Sequence, residues 1–188
     1  MKAGDRTENP ATGERGVVRV GSEDTNGERL VVDLFVPAGG RVPLPHRHPA
    51  LTESLEVLDG QLDVAVDGDH KLAVAGQKIT IPPDVVHDWW NGGGGEAHVV
   101  VEISGPTTRR FELMIEAFWG LARDGKTDDK GVPSLLQLAV IAREFADVVQ
   151  VTKPPRIVQK LVFGMLAPIG RARGYRAFDR LSDATTQP

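Results

Sequence analysis

Two clusters of metal-binding side chains constrain the fold of this chain more than any other feature of its sequence. His46, His48 and Glu53 lie in one stretch, and His87 lies in a second. Because His46 and His48 are two residues apart, their side chains share one face of an extended strand, whereas a helix places such ligands three or four apart. His87 belongs to a separate strand, so a common site requires strands that face one another across a barrel. Three imidazoles and one carboxylate suit a divalent transition metal.

The residues around these side chains resemble the two motifs of the cupin superfamily. The first motif is satisfied at every position, by Gly40, His46, His48, Glu53 and Gly60. The second is matched by Gly76, Pro82, His87 and Asn91. Asp84 stands where the family usually has glycine, and aspartate is among the better non-glycine residues for a positive φ. The resemblance covers about residues 28–105, and two long motifs in the right order are more specific than a lone His-x-His pair.

This resemblance implies a mainly β fold, a cupin-type double-stranded β-helix or jelly-roll barrel. It also implies that His46, His48, Glu53 and His87 bind one metal inside the barrel, a divalent transition ion from the set Fe, Mn, Ni, Zn and Cu. A barrel that keeps the fold without the metal is the alternative, but such relatives usually lack some of the ligands, and all four are present here. The resemblance further implies a small-molecule substrate or ligand and a homodimer.

Alternation of apolar and polar residues predicts where the strands lie. The predicted strands are residues 17–20, 29–36, 51–58, 61–66, 71–75, 78–81, 86–90 and 97–104. Turn-forming residues such as Asp59 and Gly60 separate them. We therefore divide the chain into an N-terminal arm (residues 1–27), the β-barrel (28–105) and a C-terminal α-helical extension (106–188).

The extension has helical periodicity. Helices are predicted over about residues 111–121, over 134–149 and from Arg156 to near Pro168 and Gly170. The third helix places six residues on one apolar stripe, namely Ile157, Val158, Leu161, Val162, Met165 and Leu166. Residues 152–188 also hold seven Lys or Arg against Asp179 and Asp183. We expect the stripe to pack on the barrel or on a second subunit, and contact of this basic helix with an anionic membrane surface is the alternative.

Side-chain parity predicts which other residues surround the ligands. Four residues share a face with ligands on their strands and are expected to line the pocket, namely Leu44, Leu55, Val57 and Trp89. Glu56 falls on the opposite face from Glu53. His98 faces either the pocket, as a second base, or the outside, which we expect. Asn91 is expected to fix the turn that follows its strand.

Composition argues against several classes of protein. The net charge of −4 provides no general basic field, so we expect no nucleic-acid partner. The absence of cysteine excludes a disulfide framework and a thiolate ligand. The first residues lack the apolar core of a signal peptide, and the longest uncharged stretches, of about ten residues, are too short to cross a bilayer. A cytoplasmic protein is the resulting expectation.

Three functions fit a site of this kind. The leading hypothesis is a metal-dependent enzyme that acts on a small organic molecule, similar to the single-domain cupin dioxygenases. The second is an isomerase in which the metal stabilises an enolate, and the third is a non-catalytic cupin that senses a small ligand. Glu53 is in each enzyme either a permanent ligand or also a catalytic base. The sequence leaves open whether the protein is an enzyme, and a fold of this kind does not identify the substrate.

Overall fold

The computed structural model describes residues 1–42 and 44–178 and consists of two antiparallel sheets followed by helices. The strands are β1 Arg6–Asn9, β2 Glu14–Val20, β3 Arg29–Val36, β4 His46–Arg47, β5 Thr52–Asp59, β6 Gln61–Val66, β7 Asp69–Val74, β8 Lys78–Ile81, β9 His87–Trp90, β10 Ala97–Ser104 and β11 Gln150–Val151. One sheet has the order β1-β2-β3-β10-β5-β8, and the other has the order β11-β4-β9-β6-β7. This double-sheet arrangement confirms the predicted mainly β, cupin-type fold.

The two sheets enclose the first of two apolar cores. In β5, Leu55 and Val57 are fully buried while Glu56 between them is half-buried, which is the alternation expected of a strand with one face inward. Leu62 and Val64 of β6, in the opposite sheet, are also fully buried. These four residues belong to one core cluster. Burial of such side chains contributes roughly 1.5–3 kcal/mol each, so the barrel interior is a packed core.

The N-terminal region contributes more strand than the sequence indicates. The strand predicted at 17–20 extends over Glu14–Val20 and pairs with β3, while Arg6–Asn9 forms a further strand that pairs with β2. All four residues of Arg6–Asn9 are polar, so this edge strand gives no apolar signal and is absent from the prediction. Residues within the predicted arm therefore extend the barrel sheet.

Three helices follow the last barrel strand. They are α1 Thr108–Arg123, α2 Leu135–Glu144 and α3 Arg156–Ala172. The prediction that the second helix continues to residue 149 is wrong, because the chain leaves α2 after Glu144 and forms β11 against β4. The third helix continues past Pro168 to Ala172. In the part of the chain that the structure describes, no helix has the length and apolar composition needed to cross a membrane.

The first two helices pack on the barrel through a second apolar core. Leu51 and Ile103 of the barrel meet Met114 of α1 and Val140 of α2 in one buried cluster. Helix α3 approaches α2 closely at Gly170, where there is no room for a side chain. A Cβ built on Gly170 would lie 2.8 Å from Val140 Cγ2. The opposite face of α3 is exposed, at Ile157, Leu161, Met165 and Ile169. The predicted charges at Asp179, Arg180 and Asp183 lie outside the described residues.

Candidate metal centre

The four predicted ligands come from both sheets and meet inside the barrel. His46 opens β4 and lies opposite His87 of β9, while Glu53 reaches them from β5 in the other sheet. His48 follows β4 directly. One donor atom from each residue lies within 4.8 Å of the others, and the four residues are only 2–8% exposed. The structure therefore contains the buried cluster that the spacing of these residues predicts.

Each imidazole is oriented by a hydrogen bond from its Nδ1 atom to a backbone carbonyl. Nδ1 of His46 lies 3.0 Å from the Leu44 oxygen, and Nδ1 of His87 lies 3.0 Å from the Val85 oxygen. Nδ1 of His48 lies 2.8 Å from the oxygen of Val148. A carbonyl can only accept a hydrogen bond, so the proton of each neutral ring is on Nδ1 and the lone pair is on Nε2. This tautomer leaves Nε2 of each ring free to bind a metal.

The carboxylate of Glu53 divides its two oxygens between different neighbours. Oε2 lies 3.1 Å from Nε2 of His87 and 3.2 Å from Nε2 of His48. Oε1 accepts a hydrogen bond of 3.3 Å from the indole N–H of Trp89. Trp89 thereby fixes the plane of the carboxylate. In spite of the short distance to Glu53, Nε2 of the buried His48 has no hydrogen bond of acceptable geometry.

This arrangement of atoms fits a cation. Lone pairs of neutral imidazoles and a carboxylate repel one another unless a proton or a metal ion lies between them, and buried polar atoms without a partner are costly. With bonds of about 2.1 Å, ligand atoms on opposite sides of an ion are about 4.2 Å apart and those of a tetrahedral ion are about 3.4 Å apart, so the cluster must contract to hold one ion with all four groups. The unpartnered Nε2 of His48 is the atom that such an ion would satisfy.

The electrostatics differ among the groups of the cluster: although burial acts to lower the pKa of His87, the hydrogen bond and charge of Glu53 raise it, whereas His46 and Glu53 are held in the forms that bind a cation. Burial lowers the pKa of His46 to about 4, and the neighbouring His87 and His48 act in the same direction. Burial acts to raise the pKa of Glu53, but its interactions with His48 and His87 outweigh burial and hold this pKa well below its usual value. At neutral pH, His46 is therefore neutral and Glu53 is ionised.

The predicted lining residues occupy different positions. Leu55, Val57 and Trp89 are buried in the barrel core on the ligand-bearing faces of their strands. Leu44 is 46% exposed, and it contacts the cluster through its carbonyl oxygen, which accepts the His46 bond. Whether these residues line a substrate pocket stays a prediction.

Other residues of the two motifs shape the backbone around the site. Asp84 has a φ of 65°, the conformation for which the family uses glycine, and its N–H donates to the His48 carbonyl at 2.7 Å. Asn91 is fully buried, and its amide donates to the carbonyls of Val36 and Gly95 while accepting from the N–H of Gly93. The expectation that Asn91 fixes the turn after β9 is confirmed.

His98 faces outward, as expected. Its Nε2 lies 2.6 Å from Asp33 Oδ1, and its ring stacks on Phe35 at 4.4 Å. Asp33 also forms a bidentate pair with Arg19 on the same outer face. Both His98 and Glu56 therefore lie away from the cluster of donor groups, and neither is placed to act as a second base there.

Sequence reasoning missed two groups from the helical extension that contact the site. The Val148 carbonyl holds His48, and the ring of Phe111 meets the His48 ring edge-on at 5.4 Å. Phe111 was visible only as an apolar position of a helix, and a backbone carbonyl has no sequence signal. The bond between His48 and Val148 joins residues separated by 100 positions.

Comparison with known families agrees with the fold and the site. Residues 33–103 match the family model described as "Cupin domain", and this range includes all four clustered side chains. The matched part of the chain, which is the barrel, is therefore a cupin domain. A search of the curated proteins gives no match.

Several solved structures are similar to the barrel region. An oxalate decarboxylase from Thermotoga maritima, described as predicted, is 18% identical, with 56% of this chain and 94% of that chain covered at a TM-score of 0.48. A sugar phosphate isomerase from a cupin superfamily of Silicibacter pomeroyi is 19% identical, with 54% and 71% covered at 0.47. An RmlC-like cupin from Shewanella frigidimarina is 21% identical, with 55% and 86% covered at 0.46. Likeness at this level does not indicate what this chain binds or converts.

Proposed function

We propose that this protein is a metal-dependent enzyme that acts on a small organic molecule held in the cupin barrel. The observation that carries the proposal is the buried cluster of four donor groups whose three imidazoles all direct Nε2 inward. His46, His48, Glu53 and His87 would hold one divalent transition ion, from the set Fe, Mn, Ni, Zn and Cu. When bound, a redox metal supplies oxygenase chemistry, whereas a Lewis acid supplies enolate stabilisation.

Dioxygenase-like chemistry is the leading form of this proposal. Isomerisation through an enolate is the second enzymatic form, and a non-catalytic cupin that senses a small ligand is the third. Oxygen uptake by the metal-loaded protein, measured over a panel of enolic and phenolic compounds, separates them. Uptake coupled to loss of the compound supports the dioxygenase, turnover without oxygen supports the isomerase, and saturable binding without turnover supports the sensor.

Metal binding itself is tested by elemental analysis. We expect about one transition-metal ion per chain in the wild type and almost none in His46→Ala/His48→Ala. His70→Ala is the matched control, because His70 is exposed and the bond of its ring with Asp63 lies outside the cluster. Equal metal contents in the wild type and the double variant would contradict the proposal.

The partner of the protein is proposed to be a second copy of the chain. Ile157, Leu161, Met165 and Ile169 form an exposed apolar stripe on α3, with exposed fractions of 45–72%, and contiguous apolar surface of this kind marks interaction sites. We infer a homodimer that buries this stripe. Contact with an anionic membrane surface is the alternative, supported by six basic residues and no acidic residue between Asp147 and Asp179. A cytoplasmic location remains a prediction.

A further inference from the structure

His48 differs from the other two histidines in the origin of the group that orients it. His46 and His87 each bond to the carbonyl of the residue two positions earlier, Leu44 or Val85. His48 instead bonds at 2.8 Å to the carbonyl of Val148, which lies after α2. The family match ends at residue 103, so the partner of His48 comes from outside the cupin domain.

The stretch from 145 to 152, named here the closing segment, is fastened to the ligand-bearing strand. Gln150 and Val151 pair with Arg47 and His46 in an antiparallel ladder. Beyond that ladder, the N–H of Thr152 donates to the Pro45 carbonyl at 3.0 Å. The closing segment therefore runs along residues 45–48 and leaves the Val148 carbonyl opposite the His48 ring.

The closing segment is also hydrogen-bonded to α1. Arg110 donates to both carboxylate oxygens of Asp147, at 2.7 and 3.0 Å, and to the carbonyl of Glu144 at 2.5 Å. Phe145 and Val148 are fully buried in the core beneath. Phe111, the residue after Arg110, places its ring edge against His48. Helix α1 thus contacts His48 directly, and it also holds the segment that carries the Val148 carbonyl.

We propose that the closing segment is a positioning element of the metal centre, which orients His48 and so tunes how tightly the ion is held. The inference deepens the proposed function and rests on it for the metal. Val148 acts through its backbone oxygen, and Arg110 acts by keeping that oxygen in place. Loss of groups that orient a metal-bound histidine typically weakens metal binding by 10- to 100-fold, so Arg110 should affect the metal although it does not touch it.

The test is Arg110→Ala in the full chain, with Arg123→Ala as its matched control. Arg123 lies on the same helix and also bonds to a side chain and a carbonyl, those of Thr7 and Glu8, which belong to the N-terminal strand β1. Thr152→Pro is a second, stronger variant, because it removes the N–H that bonds to Pro45. Zn²⁺ is the probe for affinity, and ¹⁵N NMR of the metal-free protein is the second measurement.

We expect Arg110→Ala and Thr152→Pro to weaken Zn²⁺ binding about 10-fold or more, while Arg123→Ala leaves it unchanged. In the metal-free protein, the Nδ1 proton of His48 should exchange faster in both variants, while that of His87 stays protected. Unchanged His48 exchange in both variants would overturn the inference. A wild type that binds no Zn²⁺ would defeat the proposed function, and the His48 exchange measurement would still decide whether the closing segment positions this ring.

Discussion

At the scale of single residues, Glu53 is the group with two proposed roles, that of a metal ligand only and that of a ligand which is also a base. One of its oxygens faces two imidazoles, and the other accepts the Trp89 indole N–H. A carboxylate that accepts a hydrogen bond is a weaker base, so Trp89 favours the role of a ligand.

Glu53→Gln separates the two roles, because it keeps the size of the side chain and removes its charge and basicity. If Glu53 is a base as well as a ligand, we expect turnover to fall at least 100-fold and more steeply than metal occupancy. Metal content by elemental analysis and initial rates with a compound that the wild type converts provide the comparison. Parallel losses of metal and rate would leave Glu53 as a ligand only.

Asp33, on the outer face, leads to a prediction of how the stability of the fold depends on pH. The hydrogen bond from Arg19 is the main cause that lowers the pKa of Asp33 below its usual 3.8, and the bond with His98 adds to it. The ionised form thus stabilises the fold, by about 1 kcal/mol for a pair open to solvent. This contribution is present above pH 3.8 and is lost as the pH falls through the lowered value in the folded protein.

Asp33→Asn should therefore lower the free energy of unfolding by about 1 kcal/mol at neutral pH. The difference from the wild type should shrink as the pH falls below 3.8. Urea unfolding between pH 3 and 7 measures it. Asp69→Asn, at the exposed start of β7, is the control and should show no such trend. A deficit of equal size at every pH would contradict the electrostatic explanation.

At the scale of elements, the sequence predicts most barrel strands to within three residues at each end. β3, β6, β8 and β10 coincide with the predictions, because turn-forming residues flank runs that contain Val, Ile or Leu. The two-residue strands β4 and β11 are too short for any periodic signal. The end of α2 was misplaced because Val148 and Val149 continue the apolar pattern, while pairing between β11 and β4 takes over the backbone.

Two glycines of α3 provide a matched pair of substitutions. A Cβ on Gly170 would lie 2.8 Å from Val140 Cγ2 and 3.0 Å from the Leu136 oxygen, whereas a Cβ on Gly164 would lie 3.8 Å from its nearest neighbour, Arg143 Nη1. Alanine favours helix over glycine by about 1 kcal/mol. We expect Gly164→Ala to raise the melting temperature and Gly170→Ala to lower it, because overpacking costs about 1–3 kcal/mol. Calorimetry that ranks the two variants in the opposite order would refute close packing of α3 on α2.

At the scale of the whole molecule, one core lies between the sheets and a second joins the barrel to α1 and α2. The cluster of three histidines and Glu53 lies where the two meet: Trp89 belongs to the first core, while Leu51 and Val148 belong to the second. The motifs identify in advance the four side chains that the structure brings together. They cannot indicate the Val148 contact, because that contact depends on how the extension folds back over 100 residues.

The exposed stripe of α3 gives a prediction for the assembly. Leu161→Glu/Met165→Glu should convert a dimer into a monomer, since both residues are more than 60% exposed and a buried charge at an interface is costly. Light scattering after size exclusion measures this, with the exposed Lys160→Glu as the control. A monomeric wild type that co-sediments with anionic vesicles, more weakly at high salt, would replace the dimer with membrane contact.

The hydrogen bond between Val148 and His48 has a thermodynamic consequence that works in both directions. If docking of the closing segment makes metal binding more favourable, then metal binding makes docking of that segment more favourable by the same free energy. The ion would then act on the extension as a stabilising ligand of the docked state. Hydrogen exchange of the Thr152 N–H, which bonds to the Pro45 carbonyl, should therefore slow as the metal concentration rises, and the exchange rate would report site occupancy without any substrate.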